Sequence, residues 1–378
     1  MKKTNLLSLV AAVAIISGSS AVASDTSKTE VTGYAKAYYD SVDSDANSLL
    51  SQGSAKANIG LHVDVNHTFN KKVKANLGVS VLDTANLEDE VVSGVVAGAS
   101  AHQTTLDIAN IEITPQDNTN IKVGRMLYKS PLLNSDNWSV HKNTFEGIAV
   151  THEMGKLMFQ AAAFDKEHQR NAGTDFNEYA STMYTMGVTK KLKGATANLH
   201  LYKSDEVTAV YASCGKAISP SLKMGAQVIH MNPDAAGSST LGLGLKASKA
   251  VDAGVVTLAY SHIGNGVLPI GKLSDLGTKT PLYTTGFTSD TDVVGMSNSD
   301  TLKLSFKTKV AGANVVAFGL VTDNDSVGAG TSTEFGAKAI FKPSENTNLM
   351  VLGSVADHET GGFQGKDGLL RVVATYSF

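Results

Sequence analysis

The sequence predicts an all-β protein, a transmembrane antiparallel β-barrel of about eighteen strands. Three observations predict it. The chain opens on an export signal, its body repeats short segments of alternating apolar and polar residues, and its last strand ends on an aromatic residue, Phe378.

The export signal comes first in the chain. Lys2 and Lys3 precede an apolar run from Leu6 to Ile16, and small residues follow to Ala21-Val22-Ala23. This is a basic region, a short apolar region and an A-x-A cleavage site. The run is too short to cross a bilayer as a helix. Residues 1–23 are therefore read as a signal peptide, leaving one domain over 24–378. No later segment reaches the ~18 uninterrupted apolar residues a spanning helix needs. An exported chain of this kind is either a periplasmic protein or a barrel in the bacterial outer membrane.

Composition narrows the class. Lys and Arg number 32 against 35 Asp and Glu, a formal charge of −3, and two of the lysines lie in the leader. That balance argues against a nucleic-acid partner. Cys214 is the single cysteine, so no intramolecular disulfide can form although the signal points to an oxidising compartment. Closure of a sheet on itself would supply the missing constraint. The 35 glycines and 7 prolines suit a sheet with many turns, while 6% aromatics is low for a membrane barrel.

The strand segments follow in order. Ala57, Ile59, Leu61, Val63 and Val65 alternate with Lys56, Asn58, Gly60, His62 and Asp64. After the turn Phe69-Asn70-Lys71, Val73, Ala75, Leu77, Val79 and Val81 alternate with Lys72, Lys74, Asn76, Gly78 and Ser80. The pattern returns at Ala197 to Tyr202, Leu241 to Lys246, Leu302 to Lys307 and Glu334 to Lys342, and more weakly at Thr104 to Thr114 and Val207 to Lys216. In the final strand Leu370, Val372, Ala374, Tyr376 and Phe378 share one face, and Arg371, Thr375 and Ser377 the other. A strand sends successive side chains to opposite faces. A soluble sandwich would turn the apolar face to a core; a barrel turns it to lipid and lets the polar face line water.

Connections alternate between short and long. Short ones fall near Asn70, Pro115 to Asn120, Glu153 to Lys156, Lys191 to Gly194, Ser219-Pro220, Ala250 to Ala253, Ala311-Gly312 and Ser344 to Asn346. Long or polar ones fall near Ser41 to Gly53, Asp83 to Ala101, Leu127 to Thr144, Asp165 to Tyr179, Met231 to Ser238, Ile263 to Ser299, Asp323 to Gly330 and Asp357 to Asp367, with the short Ser204 to Glu206 as the exception. Short periplasmic turns and long outer loops are the habit of bacterial barrels, and a barrel this wide must hold water.

One stretch carries a family resemblance. Val123-Gly124-Arg125 leads into Pro131-Leu132-Leu133-Asn134-Ser135-Asp136, and Thr144-Phe145-Glu146-Gly147 opens the next strand. This resembles the third-loop region of the OprD-type porins, including the major outer-membrane porins of epsilon-proteobacteria. The resemblance covers about twenty-five residues specifically and implies eighteen strands. It also implies a constriction loop folded inward across the pore, a homotrimer, and Phe378 as a signal to the barrel-assembly machinery. The motif positions are Gly124, Pro131, Asn134, Asp136, Thr144, Phe145 and Gly147. Relatives differ at Trp138-Ser139-Val140-His141-Lys142-Asn143 and carry a ladder of arginines. Here the arginines are Arg125, Arg170 and Arg371 alone, which points away from specific uptake of basic amino acids.

By alternation Lys56, Lys74, Lys246, Lys303, Lys307, Lys338 and Arg371 face the lumen, because a charge facing lipid would cost ~2–4 kcal/mol at the midplane. Asp136 and Glu146 flank the loop and are expected as opposing carboxylates that complete a transverse field. Asn134 and Asp136 have an alternative job in capping the loop's own backbone. Trp138 is read as packing the loop or girding the rim. The function expected is passive diffusion of small hydrophilic solutes and ions. The alternatives are a selective channel for small charged solutes such as amino acids or carboxylates, and a surface adhesin on a barrel scaffold.

Other chemistry finds little support. Glu88-Asp89-Glu90 and Asp40, Asp43 and Asp45 offer oxygen ligands for a loop-bound divalent cation, but lack EF-hand spacing and read better as a solvated run facing lipopolysaccharide. His152-Glu153 is not followed by a second histidine, since position 156 is Lys156. No G-x-S-x-G elbow occurs. The chain is expected to be no enzyme and to need no cofactor. Its expected partners are the lipid bilayer and lipopolysaccharide.

Overall fold

The computed structural model describes residues 27–43, 48–87, 92, 102–137, 139–170, 176–233, 238–268, 281–288, 293–325, 330–359 and 365–378. The proposed leader, Asp45, Glu88-Asp89-Glu90 and Trp138 lie outside the described residues.

Eighteen strands form in chain order. They are β1 (Lys28–Asp43), β2 (Ala55–Asn70), β3 (Val73–Asp83), β4 (His102–Gln116), β5 (Thr119–Met126), β6 (Thr144–Met154), β7 (Leu157–His168), β8 (Asn177–Leu192) and β9 (Ala195–Lys203). The second half comprises β10 (Val207–Ala217), β11 (Leu222–Pro233), β12 (Thr240–Val251), β13 (Gly254–Ile263), β14 (Ser299–Val310), β15 (Ala313–Asn324), β16 (Gly330–Ser344), β17 (Thr347–His358) and β18 (Gly365–Ser377). Each pairs antiparallel with its neighbour in sequence, as β2 with β3 and β14 with β15.

The ring closes where β18 pairs with β1, from Tyr34↔Ser377 to Asp43↔Gly368. Phe378 and Gly33 exchange both backbone hydrogen bonds at 3.0 Å. Closure leaves no edge strand, so both long sides of each strand face a neighbour in the sheet. The fold expected from alternation is the one observed.

The two faces of the sheet differ as expected. On β14, Leu302 and Leu304 are 47% and 56% exposed, while Thr301 between β13 and β15 is 1% exposed. The weak alternation over Thr104 to Thr114 has a local cause. β3 and β4 slip register between Gly78 and Val79, so that Ile108 and Leu106 are their partners and Asp107 is the extra residue. A bulge of this kind breaks the period of two and re-aims a side chain; Asp107 and Ile108 are both buried.

Candidate functional site

The inside of the ring is identified by what crosses it. Residues 127–143, between β5 and β6, touch opposite walls. At one end Lys36 Nζ on β1 donates to Asn137 Oδ1 at 3.0 Å and to the Ser139 carbonyl at 2.9 Å. Tyr34 Oη, also on β1, lies 3.1 Å from His141 Nδ1, and His141 Nε2 lies 3.0 Å from the Val81 carbonyl on β3. At the other end the Leu132 amide donates to Tyr202 Oη on β9 at 3.1 Å, and Tyr202 donates to Ser130 Oγ at 3.0 Å. A segment fastened to β1–β3 and to β9 must cross the bore.

The loop holds itself together between these anchors. Lys129 and Asn134 bridge antiparallel around a turn in which the Ser130 amide donates to the Leu133 carbonyl at 2.9 Å. Leu132 and Leu133 are fully buried with Phe145, Phe164, Met183 and Val207 against the lumenal face of β6–β10. Asn143 stitches the base: its Oδ1 accepts the Asp136 amide at 3.0 Å, and its Nδ2 donates to the Asn134 carbonyl at 3.2 Å and to Glu167 at 3.1 Å.

The motif glycines set the entry to the loop. Gly124 has φ of +115°, and a Cβ there would lie 2.2 Å from the Ala109 carbonyl oxygen. Its cross-strand partner is Gly147, where a Cβ would lie 2.1 Å from the Ala163 carbonyl. Only glycine tolerates such a conformation and approach. Thr144 and Phe145 are buried beside them.

Of the two carboxylates expected in the lumen, Glu146 lies on the outer face and Asp136 is already paired. Glu146 follows Phe145, which takes the lumenal position at 0% exposure. By parity Glu146 therefore shares the outer face with Ile148, 43% exposed, and it pairs with Arg125 at 2.8 Å. Arg125 also stacks on the Phe176 ring at 4.2 Å. This is an ion pair at the loop end of the outer wall. Asp136 remains inside, but its Oδ1 accepts Arg170 Nη1 at 3.2 Å and its side chain is 10% exposed. It frames the loop, the alternative job considered for it, instead of opposing the lysines.

The basic residues are placed by strand parity and by what they touch. Arg371 pairs with Asp40 at 2.8 Å beside the Tyr38 ring; Asp40 is thereby committed to the closing seam. Lys56 is the cross-strand partner of Asp40, and Lys74 lies exposed on the lumenal face of β3, near its short-turn end. Lys246, Lys303 and Lys338 meet a second inward segment, residues 281–288 of the connection between β13 and β14. Lys246 Nζ lies 3.8 Å from the Tyr283 ring centroid, and Lys338 Nζ 5.8 Å from that of Phe287. Lys303 donates to the Thr285 carbonyl. Glu334, 0% exposed, accepts the Phe287 amide at 2.7 Å and the Thr288 amide at 3.1 Å. Lys307 and Lys338 are both partners of Val316 from opposite sides, so they stand two strand spacings apart, about 10 Å.

Sequence reasoning passed over Lys36, Glu334 and a polar set on β2–β4. His62 Nδ1 is 2.8 Å from Ser80 Oγ, Ser80 donates to Asp107 Oδ2 at 2.6 Å, and His62 Nε2 is 3.1 Å from Asp64. Tyr34 stacks on His62 at 5.2 Å. The set has the residue types of a hydrolytic triad but not its hydrogen bonding. Ser80 gives its proton to Asp107 instead of to the ring, and Ser80 is 4% exposed. With both carboxylates ionised, His62 must donate from both nitrogens. The strict alternation Tyr34, Lys36, Tyr38, Asp40 was the signal available for Lys36. Among the described residues no group of three or more His, Cys, Asp or Glu is placed to hold a metal ion.

Burial holds the imidazole of His141, in the loop, down at about 3. Its hydrogen bonds agree with a neutral ring, since the Val81 carbonyl requires a proton on Nε2 and leaves Nδ1 to accept from Tyr34.

No protein-family model and no curated protein matches the sequence. Solved structures do match in fold. Pseudomonas aeruginosa OccD3 (OpdP) superposes with a TM-score of 0.73 at 16% identity, covering 93% of this chain and 91% of that one. Acinetobacter baumannii OccAB1 gives 0.76 at 13% identity, covering 93% and 96%. P. aeruginosa OccK1 (OpdK) gives 0.75 at 13%, covering 93% and 98%. The likeness is to the closed eighteen-strand barrel that the sequence resemblance implied, over essentially the full length of those chains.

Proposed function

We propose that the chain is a porin of the bacterial outer membrane, a water-filled passage through which small hydrophilic solutes and ions diffuse, and that it is not an enzyme. The loop at 127–143 carries this reading: it is pinned to two opposite walls and narrows a bore that the remaining inner face keeps polar. The closed fold shared with the Occ structures supports the same reading, as does the apolar outer surface, which suits hydrocarbon. The export signal fits delivery to that membrane. Trimer formation, a role for Phe378 in assembly, and contact with lipopolysaccharide belong to the same reading and rest on the family resemblance.

A second observation favours some selectivity. Lys246, Lys303, Lys307 and Lys338 stand on one wall, and Glu334 among them is occupied by two loop amides. A basic wall in a narrow aqueous bore enriches anions, with small carboxylates as the natural class. Planar-bilayer recording tests both statements. The purified protein should give ohmic channels with a reversal potential on the anion side in a salt gradient. Lys303→Gln, Lys307→Gln and Lys338→Gln together should move that potential toward zero. Absence of channels would sink the porin reading, and an unmoved potential would remove the lysines from selectivity.

A further inference from the structure

The outer face of β6–β9 is not smooth. A groove of about 320 Å³ runs across it, lined by Val150, Phe159, Ala161, Met186, Val188 and Leu201 among others. Its depth comes from one small residue. Ala161 lies between Val150 and Met186 in a single cross-strand row, and Leu201 continues the row. Met186 is 64% exposed and Phe159 39%, so the walls stand up around an alanine floor.

The groove opens toward a basic patch. Lys190 follows Val188 on the same face of β8, about 7 Å further toward the short turns at ~3.3 Å per residue. Its partner Leu157 begins β7 directly after Lys156. The Lys191 amide donates to the Lys156 carbonyl at 2.8 Å, which sews the two neighbouring turns together. Lys190 on the groove's own face and Lys156 and Lys193 in the two turns beyond it are all exposed, whereas Lys191 alternates to the inner face, and the carboxylate in these turns is Glu153. Lys156, Lys190 and Lys193 form no ion pair with a described residue.

We propose that this is a binding site for an anionic phospholipid of the leaflet on the short-turn side, the periplasmic leaflet if the porin reading above holds, on which this orientation rests. One acyl chain lies in the apolar groove and the phosphate meets the lysines. Burial of methylenes favours the chain in the groove, and lysines at the surface attract an anionic headgroup. The charge selects the lipid class and the alanine floor selects the position. A neutral lipid or a second copy of the chain would leave these three lysines without a counter-charge.

Native mass spectrometry on protein taken from vesicles of equal phosphatidylglycerol and phosphatidylethanolamine tests this. The protein should retain phosphatidylglycerol in preference. The combined Lys156→Gln, Lys190→Gln and Lys193→Gln variant should cut that preference about tenfold or more. Ala161→Trp, which fills the floor from the lipid side, should lower retention of both lipids. Heat-modified gel mobility shows that each variant has closed its barrel. Equal retention of the two lipids, or an unchanged preference in the three-lysine variant, overturns the site. So does a disulfide-linked dimer from Met186→Cys in a Cys214→Ser background, which would seat a second copy there. Single-channel recording on the same samples separates the two proposals: conducting protein without lipid preference defeats the lipid site alone, and lipid preference without conductance defeats the porin reading alone.

Discussion

His141 joins the loop to the wall through a neutral ring, and that makes the joint sensitive to acid. An imidazole in an unfolded chain titrates near 6.5, whereas burial holds this one at about 3. Between those values the released state binds more protons than the seated one, so seating is favoured at neutral pH and weakens as pH falls from about 6.5 toward 3. Channel recordings at pH 4 should therefore show larger and noisier conductance than at pH 7.5. In His141→Gln, whose amide can still donate to the Val81 carbonyl, that pH dependence should flatten; an unchanged dependence would assign it to other groups. Gly124 is a residue of a different kind, needed for shape. With φ of +115° and a carbonyl 2.2 Å from the Cβ position, Gly124→Ala should destabilise the barrel by about 1–3 kcal/mol. A denaturant midpoint by intrinsic fluorescence checks this, and an unshifted midpoint would mean that the strand relaxes freely.

Strands were legible from the sequence because their period is two and both faces are solvated differently. Leu302, Lys303, Leu304 and Ser305 declare a face each, and so do Phe335, Gly336, Ala337 and Lys338. Where the period breaks, legibility fails for a physical reason. Asp107 sits in a bulge that shifts everything after it, and no local preference of Leu106-Asp107-Ile108 announces which residue is the extra one. Glu146 was misplaced because the loop motif suggested a lumenal role, while the strand's own parity gave that position to Phe145. Inward folding of residues 281–288 was not readable, since it rests on a buried Glu334 that accepts two amides some fifty residues away in the chain. The loop at 127–143 was readable only through family likeness, yet its energetics are now local: leucines buried on one wall and Lys36, Tyr34 and His141 on the other. Removing Lys129 to Lys142 should raise single-channel conductance while leaving the eighteen-strand ring intact. Unchanged conductance would mean that the narrowest passage lies at residues 281–288 instead.

At the scale of the whole molecule, closure depends on one seam between strands that are the first and last to emerge. Every other pair in the ring is a hairpin, joined by a connection that keeps its strands near each other. β1 and β18 have no such tether, and their contact spans nearly the whole chain. The seam therefore carries its own register marks. Phe378 and Gly33 fix its short-turn end through two backbone hydrogen bonds, and Asp40 and Arg371 fix its other half with side chains 13% and 7% exposed. A one-residue slip would turn Arg371 to the outer face and Leu370 to the inner one, so the pair specifies register as well as contributing attraction. Asp40→Asn leaves a buried guanidinium without its countercharge and should cost about 3–5 kcal/mol. Arg371→Met in the same chain should recover much of the loss, because the two charges then leave together. The measurement is the denaturant midpoint of the heat-modifiable gel shift for wild type, each single variant and the double. Additive losses in that cycle would show that Asp40 and Arg371 do not act as a unit, and the seam would then owe its register to the backbone and the apolar rows alone.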